Sequence, residues 1–450
     1  LTTDLKKNIE DILELTPMQQ GMLFHTLYNE GSDAYLEQFC LDLEGDINSE
    51  IFRKAWEHVI SRHQALRSSY RWKGTPKPVQ IVEKEVEVSW TNEDWSKVRA
   101  DEFEEQFAQL RISDRQNLFD MEKAPLTRFI LIKSAPTRYR LLWTFHHILM
   151  DEVLNSYKSI ACGEAPALGN PVPFKTYISW LNKQNKVTAE TFWKKELSGF
   201  AAPSHIKGLV GGKETAESVG SQEGIKFFPE DFTVKLTEFA RKNQVTLSTL
   251  MQAAWALVIS AYSGERDVIY GGTVSGRPPD LPDVEKIVGL FINTLPVRIN
   301  LDGNENISSW LKSIQSKHIE REQYSYSSLA DIQQWSELPV NTKLFDNILV
   351  FENYPSDPSL IDTSSLVKVL HISAFEKTNY PLAILVAPGK RLKLTVAYDE
   401  NVYKDDFAEG ILSALEGALN SMISDKSERV GDISLLTPEK EREIIENWNN

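Results

Sequence analysis

Cysteine is nearly missing: 2 of 450 residues, Cys40 and Cys162. So distant a pair supports neither a disulfide framework nor a CxxC metal site. Long hydrophobic runs are also missing. The longest near-apolar stretch, 250–262, is broken by Gln252 and Ser260, and it falls short of the roughly 18 apolar residues that cross a bilayer. The first residues, LTTDLKKNIEDILELT, carry no apolar signal-peptide core. Basic residues are in deficit: 49 Lys and Arg against 64 Asp and Glu leave a formal charge of −15. That balance argues against a general binder of nucleic acid or of anionic membrane. No GxSxG, GxGxxG or phosphate-loop GxxxxGKS/T pattern is present, which removes the obvious serine-hydrolase, dinucleotide and P-loop readings. No fixed-period repeat or low-complexity tract occurs. The expectation is an acidic cytoplasmic protein with no structural metal, nucleic-acid partner or membrane.

What is present suits a folded chain. Hydrophobic residues make up 41% and charged residues 25%, too apolar a balance for disorder. The length suggests two or three domains of about 100–200 residues each. Thr16-Pro17-Met18-Gln19 has the capping-box pattern, with Thr at N-cap, Pro at N1 and Gln at N3, so a helix should follow a leading loop. Residues 36–43 alternate as a strand. Asn48 or Ser49 should cap a helix ending at Arg62-His63, its apolar residues Phe52, Trp56, Val59 and Ile60 at helical spacing. A helix is expected at 100–111, and strands at 126–133 and 138–146 joined by a turn. The run GEAPALGNPVP, 163–173, cannot continue a helix, and a lobe boundary is placed there. One helix is expected over 174–198, a mobile Gly/Ser/Ala-rich surface stretch over 199–224, helices over 229–243 and 246–262, and a strand over 267–274. A buried strand at 289–301, strands at 344–352, 366–374, 381–387 and 391–398, and a helix at 404–423 complete the pattern. Such alternation fits α/β or α+β lobes rather than an all-β sandwich.

The outstanding chemical feature is Phe145-His146-His147-Ile148-Leu149-Met150-Asp151, at the end of an apolar strand. Successive strand residues face opposite ways, so one histidine can be structural while the other enters a cavity. Three readings compete. A satisfied structural pair is one. A zinc site is another, but adjacent histidines on opposite faces are poor co-ligands and no HExxH or cysteine cluster supports it. General acid–base work is the third, because an imidazole titrates at about 6.5. Asp151 reads most simply as a helix cap or ion-pair partner. In Arg62-His63-Gln64-Ala65-Leu66-Arg67 the arginines are either a solvated helix end or, in the sharper reading, neutralise a buried carboxylate such as Asp151. Trp193, Asn293 and Asn379-Tyr380-Pro381 are individually weak markers, more often packing or turn chemistry.

Taken in order, these segments resemble the condensation domains of nonribosomal peptide synthetases, enzymes of antibiotic and other secondary metabolism. LTPMQQGMLFHTL (15–27), RHQALRSSY (62–70) and HHILMD (146–151) are similar to the first three core motifs, the last being the family's HHxxxDG. PFKTYISWL (173–181), GLFINTLPVR (289–298), YSYSSLADIQQWS (324–336) and KTNYPL (377–382) resemble the later ones, and the tail SLLTPEKEREIIENWNN resembles the junction to an adenylation domain. The resemblance covers essentially the whole chain. The first motif and SSLADIQQWS are similar to members that take a D-configured donor.

The resemblance implies two chloramphenicol acetyltransferase-like lobes in a V-shaped pseudo-dimer, with the active site at their interface. It places residues 1–165 in the first lobe, 166–436 in the second, and 437–450 in a linker towards an adenylation domain. The implied partners are donor and acceptor peptidyl carrier domains and the adjacent adenylation domain. The domain itself would bind no cofactor, since 4′-phosphopantetheine arrives on the carriers. The implied activity is amide-forming acyl transfer: the acceptor's α-amine attacks the donor thioester. His147 matches the functional histidine, His146 the structural one, and Asp151 the aspartate held by an arginine; Arg62, Arg67, Trp193 and Asn293 are supporting residues. The sequence departs from the family after Asp151, where Glu152 replaces the glycine. About nine residues, roughly two and a half turns, are missing from the helix that should follow, and with the glycine goes a backbone N–H suited to an oxyanion. Alternatives are an epimerisation-type domain, or a degenerate scaffold that docks carriers without catalysis. Heterocyclisation fits less well, since that subfamily replaces HHxxxD with DxxxxD.

Overall fold

Two units, each assembled from separated stretches of chain, hold the residues that a computed structural model describes: 7–28, 35–147, 171–200, 202–203, 205–206, 221–339, 342–352, 367–375, 379–404, 406–424 and 427–448. Elements are labelled in chain order.

The first unit takes 1–184, 276–292 and 357–379. Its elements are β1 (Ile9–Glu14), α1 (Pro17–Tyr28), β2 (Leu36–Gly45), α2 (Ser49–Arg62), β3 (Ser68–Arg71), β4 (Val79–Glu83), β5 (Ser89–Asp94), α3 (Ala100–Gln116), β6 (Thr127–Ala135), β7 (Arg138–His146), α4 (Lys175–Leu181) and β12 (Val367–Phe375). Five strands form one sheet in the order β12-β2-β7-β6-β5, and β1-β4-β3 form a smaller one. Strand alternation sorts the residues of the large sheet by face. Phe39, Leu41 and Leu43 of β2 join Leu141, Trp143 and Phe145 of β7 in a core with Trp56, Val59 and Ile60 of α2. On the opposite face Cys40, Leu142 and Ile132 meet Phe103 and Phe107 of α3. Each such side chain contributes about 1.5–3 kcal/mol on burial. Helix starts follow the expected chemistry. Thr16 N–H donates to Gln19 Oε1 at 2.9 Å while Gln19 N–H donates to Thr16 Oγ1 at 3.2 Å, a reciprocal capping box. At α2 it is Asn48 that caps, its Oδ1 accepting from the N–H groups of Glu50 and Ile51 at 3.1 Å each.

The second unit takes 185–275, 293–356 and 380–450. It contains α5 (Lys186–Leu197), β8 (Ser221–Phe227), α6 (Glu230–Lys242), α7 (Leu247–Ser263), β9 (Asp267–Val274), β10 (Asn293–Asn300), α8 (Ile307–Glu322), α9 (Leu329–Trp335), β11 (Asn347–Phe351), β13 (Leu382–Ala387), β14 (Lys393–Asp399), α10 (Phe407–Ile423) and α11 (Pro438–Trp448). Its six-stranded sheet runs β10-β9-β11-β13-β14-β8, with β11 parallel to both β9 and β13 and the other pairs antiparallel. Helix α7 is buried on every side from Thr249 to Ile259, as an all-round apolar helix must be. It ends at Gly264, whose φ of 81° lies in the left-handed region. Among the described residues no single helix is long and apolar enough to cross a membrane.

Several expectations are revised. Residues 9–14 are a strand rather than a loop: β1 pairs with β4, Ile12 opposite Ile81. The helix expected over 174–198 is two, α4 and α5, because Asn185 turns its side chain onto the N–H groups of Val187 and Thr188 and starts a new helix. Residues 221–224, expected in a mobile stretch, belong to β8 and pair with β14, while 207–220 lie outside the described residues. The strand expected from 289 begins at Asn293. Residues 276–292 pack instead in the first unit, where Phe291 and Ile287 meet Phe174 and Tyr177. The boundary placed between 165 and 166 lies outside the described residues, and 171–184, 276–292 and 367–375 sit in the first unit rather than following it in sequence. Backbone pairing holds the last of these: β12 runs antiparallel along β2, Ile372 opposite Leu41.

Candidate active site

Strand β7 delivers the histidine pair. Its ladder to β2 sets Leu36 opposite His146 and Glu37 opposite Phe145. His146 N–H donates to Leu126 O at 3.0 Å, and His147 N–H donates to Tyr35 O at 2.7 Å. The strand ends at His146, and His147, just beyond it, still bonds back to the residue that precedes β2.

His146 is 4% exposed. Its Nε2 lies 3.2 Å from Thr26 Oγ1, and that hydroxyl donates to Met22 O at 2.9 Å. The Thr26 proton is therefore used, and Nε2–H is the donor to it. Burial, with the neighbouring His147 adding to it, pushes the His146 pKa down to about 3. Near neutral pH this ring is uncharged.

His147 differs. Its side chain is 25% exposed, and its Nδ1 lies against Glu37 Oε1, a carboxylate on a side chain only 7% exposed. Glu37 and Phe145 face each other across the ladder, so Glu37 and His147 are diagonal neighbours on one face, within reach of long side chains.

A buried polar cluster braces the same strands on the other face. Gln38, Thr144 and Arg128 lie side by side across β2, β7 and β6. All three converge on Asp114 of α3, with Gln38 Nε2 donating at 2.8 Å, Thr144 Oγ1 at 2.6 Å and Arg128 Nε at 2.7 Å.

The arginine-histidine motif forms a tight turn. Arg62 closes α2, and a 3₁₀ turn spans Gln64–Arg67. Arg67 Nη1 donates to Glu10 Oε2 at 2.8 Å and also to the Glu83 carbonyl. Gln64 Nε2 takes the other oxygen of Glu10 at 2.9 Å. Among the described residues the partner of Arg67 is thus Glu10, on β1. Asp151, expected as its partner, lies outside the described residues, as does Cys162. His63 is buried beside both arginines; burial first, then their charges, push its pKa down to about 4.

Trp193 and Asn293 belong to the second unit. Trp193 is fully buried among Phe192, Leu197, Leu295 and Phe345. Asn293 opens β10 and ties down a loop: its Nδ2 donates to Ser325 O at 2.8 Å and Ser327 O at 2.7 Å. Both act on packing where the structure describes them. Among the described residues, no group of three His, Cys, Asp or Glu side chains could hold a metal ion.

The residue that pattern reasoning passed over is Glu37. Its signal is present: in LEQFCLDL it occupies the same row as Phe39, Leu41 and Leu43, and a carboxylate in an otherwise core-facing row calls for a specific partner. Thr26, on the face of α1 towards His146, carries no such signal.

Residues 9–445 match the model of the family described as Condensation domain. The chain belongs to the condensation-domain family. This condensation domain is 38% identical over 463 residues to one of the proteins that make up the linear gramicidin synthase of Brevibacillus parabrevis, an alignment covering 98% of the chain and 9% of that protein. With bacitracin synthase 3 of Bacillus licheniformis it shares 33% identity over 457 residues, covering 98% of the chain and 7% of that protein. The chain therefore spans less than a tenth of either of these curated relatives. A solved four-domain nonribosomal peptide synthetase bound to AMP and glycine superposes with a TM-score of 0.78 at 15% identity, over 96% of this chain and 34% of that one. A starter condensation domain of rhizomide synthetase gives a TM-score of 0.77 at 18% identity, over 94% of this chain and 98% of that one. The fold is mixed α/β, that of condensation domains and of the chloramphenicol acetyltransferase-like class.

Proposed function

We propose that this condensation domain forms peptide bonds between two carrier-bound thioesters, with His147 acting on the attacking amine. The observation that carries the reading is the position of His147: just past the end of β7, partly exposed, in a chain of this family. The acceptor's α-amine has a pKa of about 7.7–8, so a useful fraction, roughly a tenth to a sixth, is the neutral nucleophile at pH 7. Its nitrogen attacks the donor thioester carbon; the N–C bond forms and the C–S bond breaks. The donor's 4′-phosphopantetheine thiol leaves, taking the proton that the nitrogen gives up. His147 holds the amine or accepts that proton in transit. A thioester is already an activated acyl group, so positioning two tethered reactants supplies much of the acceleration, up to about 7–11 kcal/mol. The phosphopantetheine arms belong to the substrates. Carrier domains on either side and an adenylation domain after residue 450 complete the proposed setting.

The test offers the domain two loaded carriers and scores dipeptidyl product by mass spectrometry. His147→Ala should lose most product while still binding carriers; turnover at the wild-type rate would refute the role of His147. Donors of D and L configuration in the same assay decide the donor subtype, and a D-residue donor is expected to be preferred. Racemisation of a single loaded carrier without an acceptor would point to epimerisation, and carrier binding without any turnover to a docking scaffold.

A further inference from the structure

We propose that Glu37 is a positioning residue for His147: its carboxylate fixes the ring with hydrogen on Nδ1 and presents the Nε2 lone pair to the reacting amine. This rests on the role proposed for His147.

The arrangement is built from the backbone. Tyr35 O accepts the His147 N–H at 2.7 Å, so the residue just before β2 holds the histidine main chain, two residues before β2 supplies the carboxylate. Glu37 then reaches diagonally along the same face. The Glu37 side chain is 7% exposed and the His147 side chain 25%, so the carboxylate lies on the inner side of the ring. An ionised carboxylate can only accept, so a hydrogen bond to it requires the proton on Nδ1 and leaves Nε2 the acceptor. Removing a carboxylate from water without a donor is costly, and a proton on the Nδ1 set against Oε1 would supply one. The same logic orients the base of hydrolytic triads, where the acid holds the tautomer and steadies the imidazolium without taking the proton.

His146 is excluded from this work by its own bond: Nε2 is committed to Thr26. Among the described residues, the titratable groups near His147 are Glu37 on β2 and His146 beside it on β7, with His25 of α1 further off, against Tyr35. Of these only Glu37 carries negative charge. It favours the protonated imidazole, so neutralising it should lower the pKa of His147, and the acid limb of the rate profile should move to lower pH.

The experiment compares wild type, Glu37→Gln, Glu37→Asp, His147→Ala and the double variant Glu37→Gln/His147→Ala, in single-turnover peptide formation with both carriers loaded, from pH 5.5 to 9. Glu37→Gln should fall about ten- to a hundredfold in rate, with its acid limb displaced downward. Glu37→Asp should recover part of the rate and the wild-type limb. The double variant should be no slower than His147→Ala alone, as expected for residues acting as a unit. Wild-type rate and limb in Glu37→Gln, with His147→Ala inactive, would overturn the role of Glu37 and leave that of His147 standing. Full turnover in His147→Ala would overturn both. Should Glu37→Gln not fold, the tautomer is read on the wild-type protein: ¹⁵N-histidine correlation spectra should show His147 protonated at Nδ1, and a pattern with the proton on Nε2 alone refutes the inference.

Discussion

Arg128 holds Asp114 side-on, Nε to Oδ1 at 2.7 Å and Nη2 to Oδ2 at 3.1 Å, while Nη2 also takes the Asp114 carbonyl at 2.6 Å. The pair ties the end of α3 to β6 and, through Thr144 and Gln38, to the strands that carry His146 and Glu37. Both side chains are nearly buried, at 10% and 6% exposure.

Breaking that pair should be expensive because it strands a buried charge. Arg128→Ala and Asp114→Ala are each expected to cost about 3–5 kcal/mol, read as a fall in the denaturant midpoint of the unit containing them. A midpoint within experimental error of wild type would show that the cluster does not brace the strands. Replacing both by apolar residues of similar volume should cost far less than either single change.

Arg67 leads to a different expectation. Glu10 is partly exposed, and its burial alone would raise its pKa, but hydrogen bonds from Gln64 and Arg67 hold it below the ordinary glutamate range. Its folded pKa is depressed, so its contribution is present above the unfolded value and lost as pH falls through the folded one. Arg67→Ala should cost about 1–3 kcal/mol, chiefly by leaving the Glu83 carbonyl unsatisfied. A double-mutant cycle with Glu10→Gln should show coupling; additive effects would mean that Arg67 acts through another partner.

Acid should weaken the first unit through its histidines. Unfolded, each imidazole titrates at about 6.5. Folded, burial chiefly pushes His146 down to about 3 and His63 to about 4. The unfolded chain therefore binds more protons as pH drops. This contribution is intact above about pH 6.5 and is lost progressively below it, by up to about 1.4 kcal/mol per pH unit for each ring. Denaturant midpoints measured from pH 7 to 4.5 should fall steadily, and less steeply in His63→Asn. Midpoints that stay level across the range would refute this.

Asn293 should matter to one loop. Its amide donates to both the Ser325 and Ser327 carbonyls, and its Oδ1 accepts from the Thr294 N–H at 3.0 Å. Asn293→Asp turns an oxygen toward those carbonyls and should destabilise more than Asn293→Ala, which should itself cost about 1–3 kcal/mol. Faster hydrogen exchange at 324–328 in both variants is the expected signature; unchanged exchange would separate the side chain from the loop's order.

What the sequence by itself determined is local. The Thr16–Gln19 box, the Asn48 cap, the alternating run that becomes β7 and the apolar run that becomes α7 depend on residues a few positions apart, so their patterns survive in one dimension. Helix α8 carries the same kind of signal, with Asn306 capping and Ile307, Trp310, Leu311 and Ile314 buried at helical spacing, although no expectation covered it. The histidine pair was visible because adjacent strand residues must face opposite ways. Tertiary structure alone decided which partners meet. It set β12 beside β2, moved 276–292 into the first unit, paired Arg67 with Glu10, and brought Glu37 to the ring of His147. Such contacts join residues distant in the chain. Their choice follows from strand register and from which polar groups burial leaves to satisfy, and neither is written in the spacing of neighbouring residues.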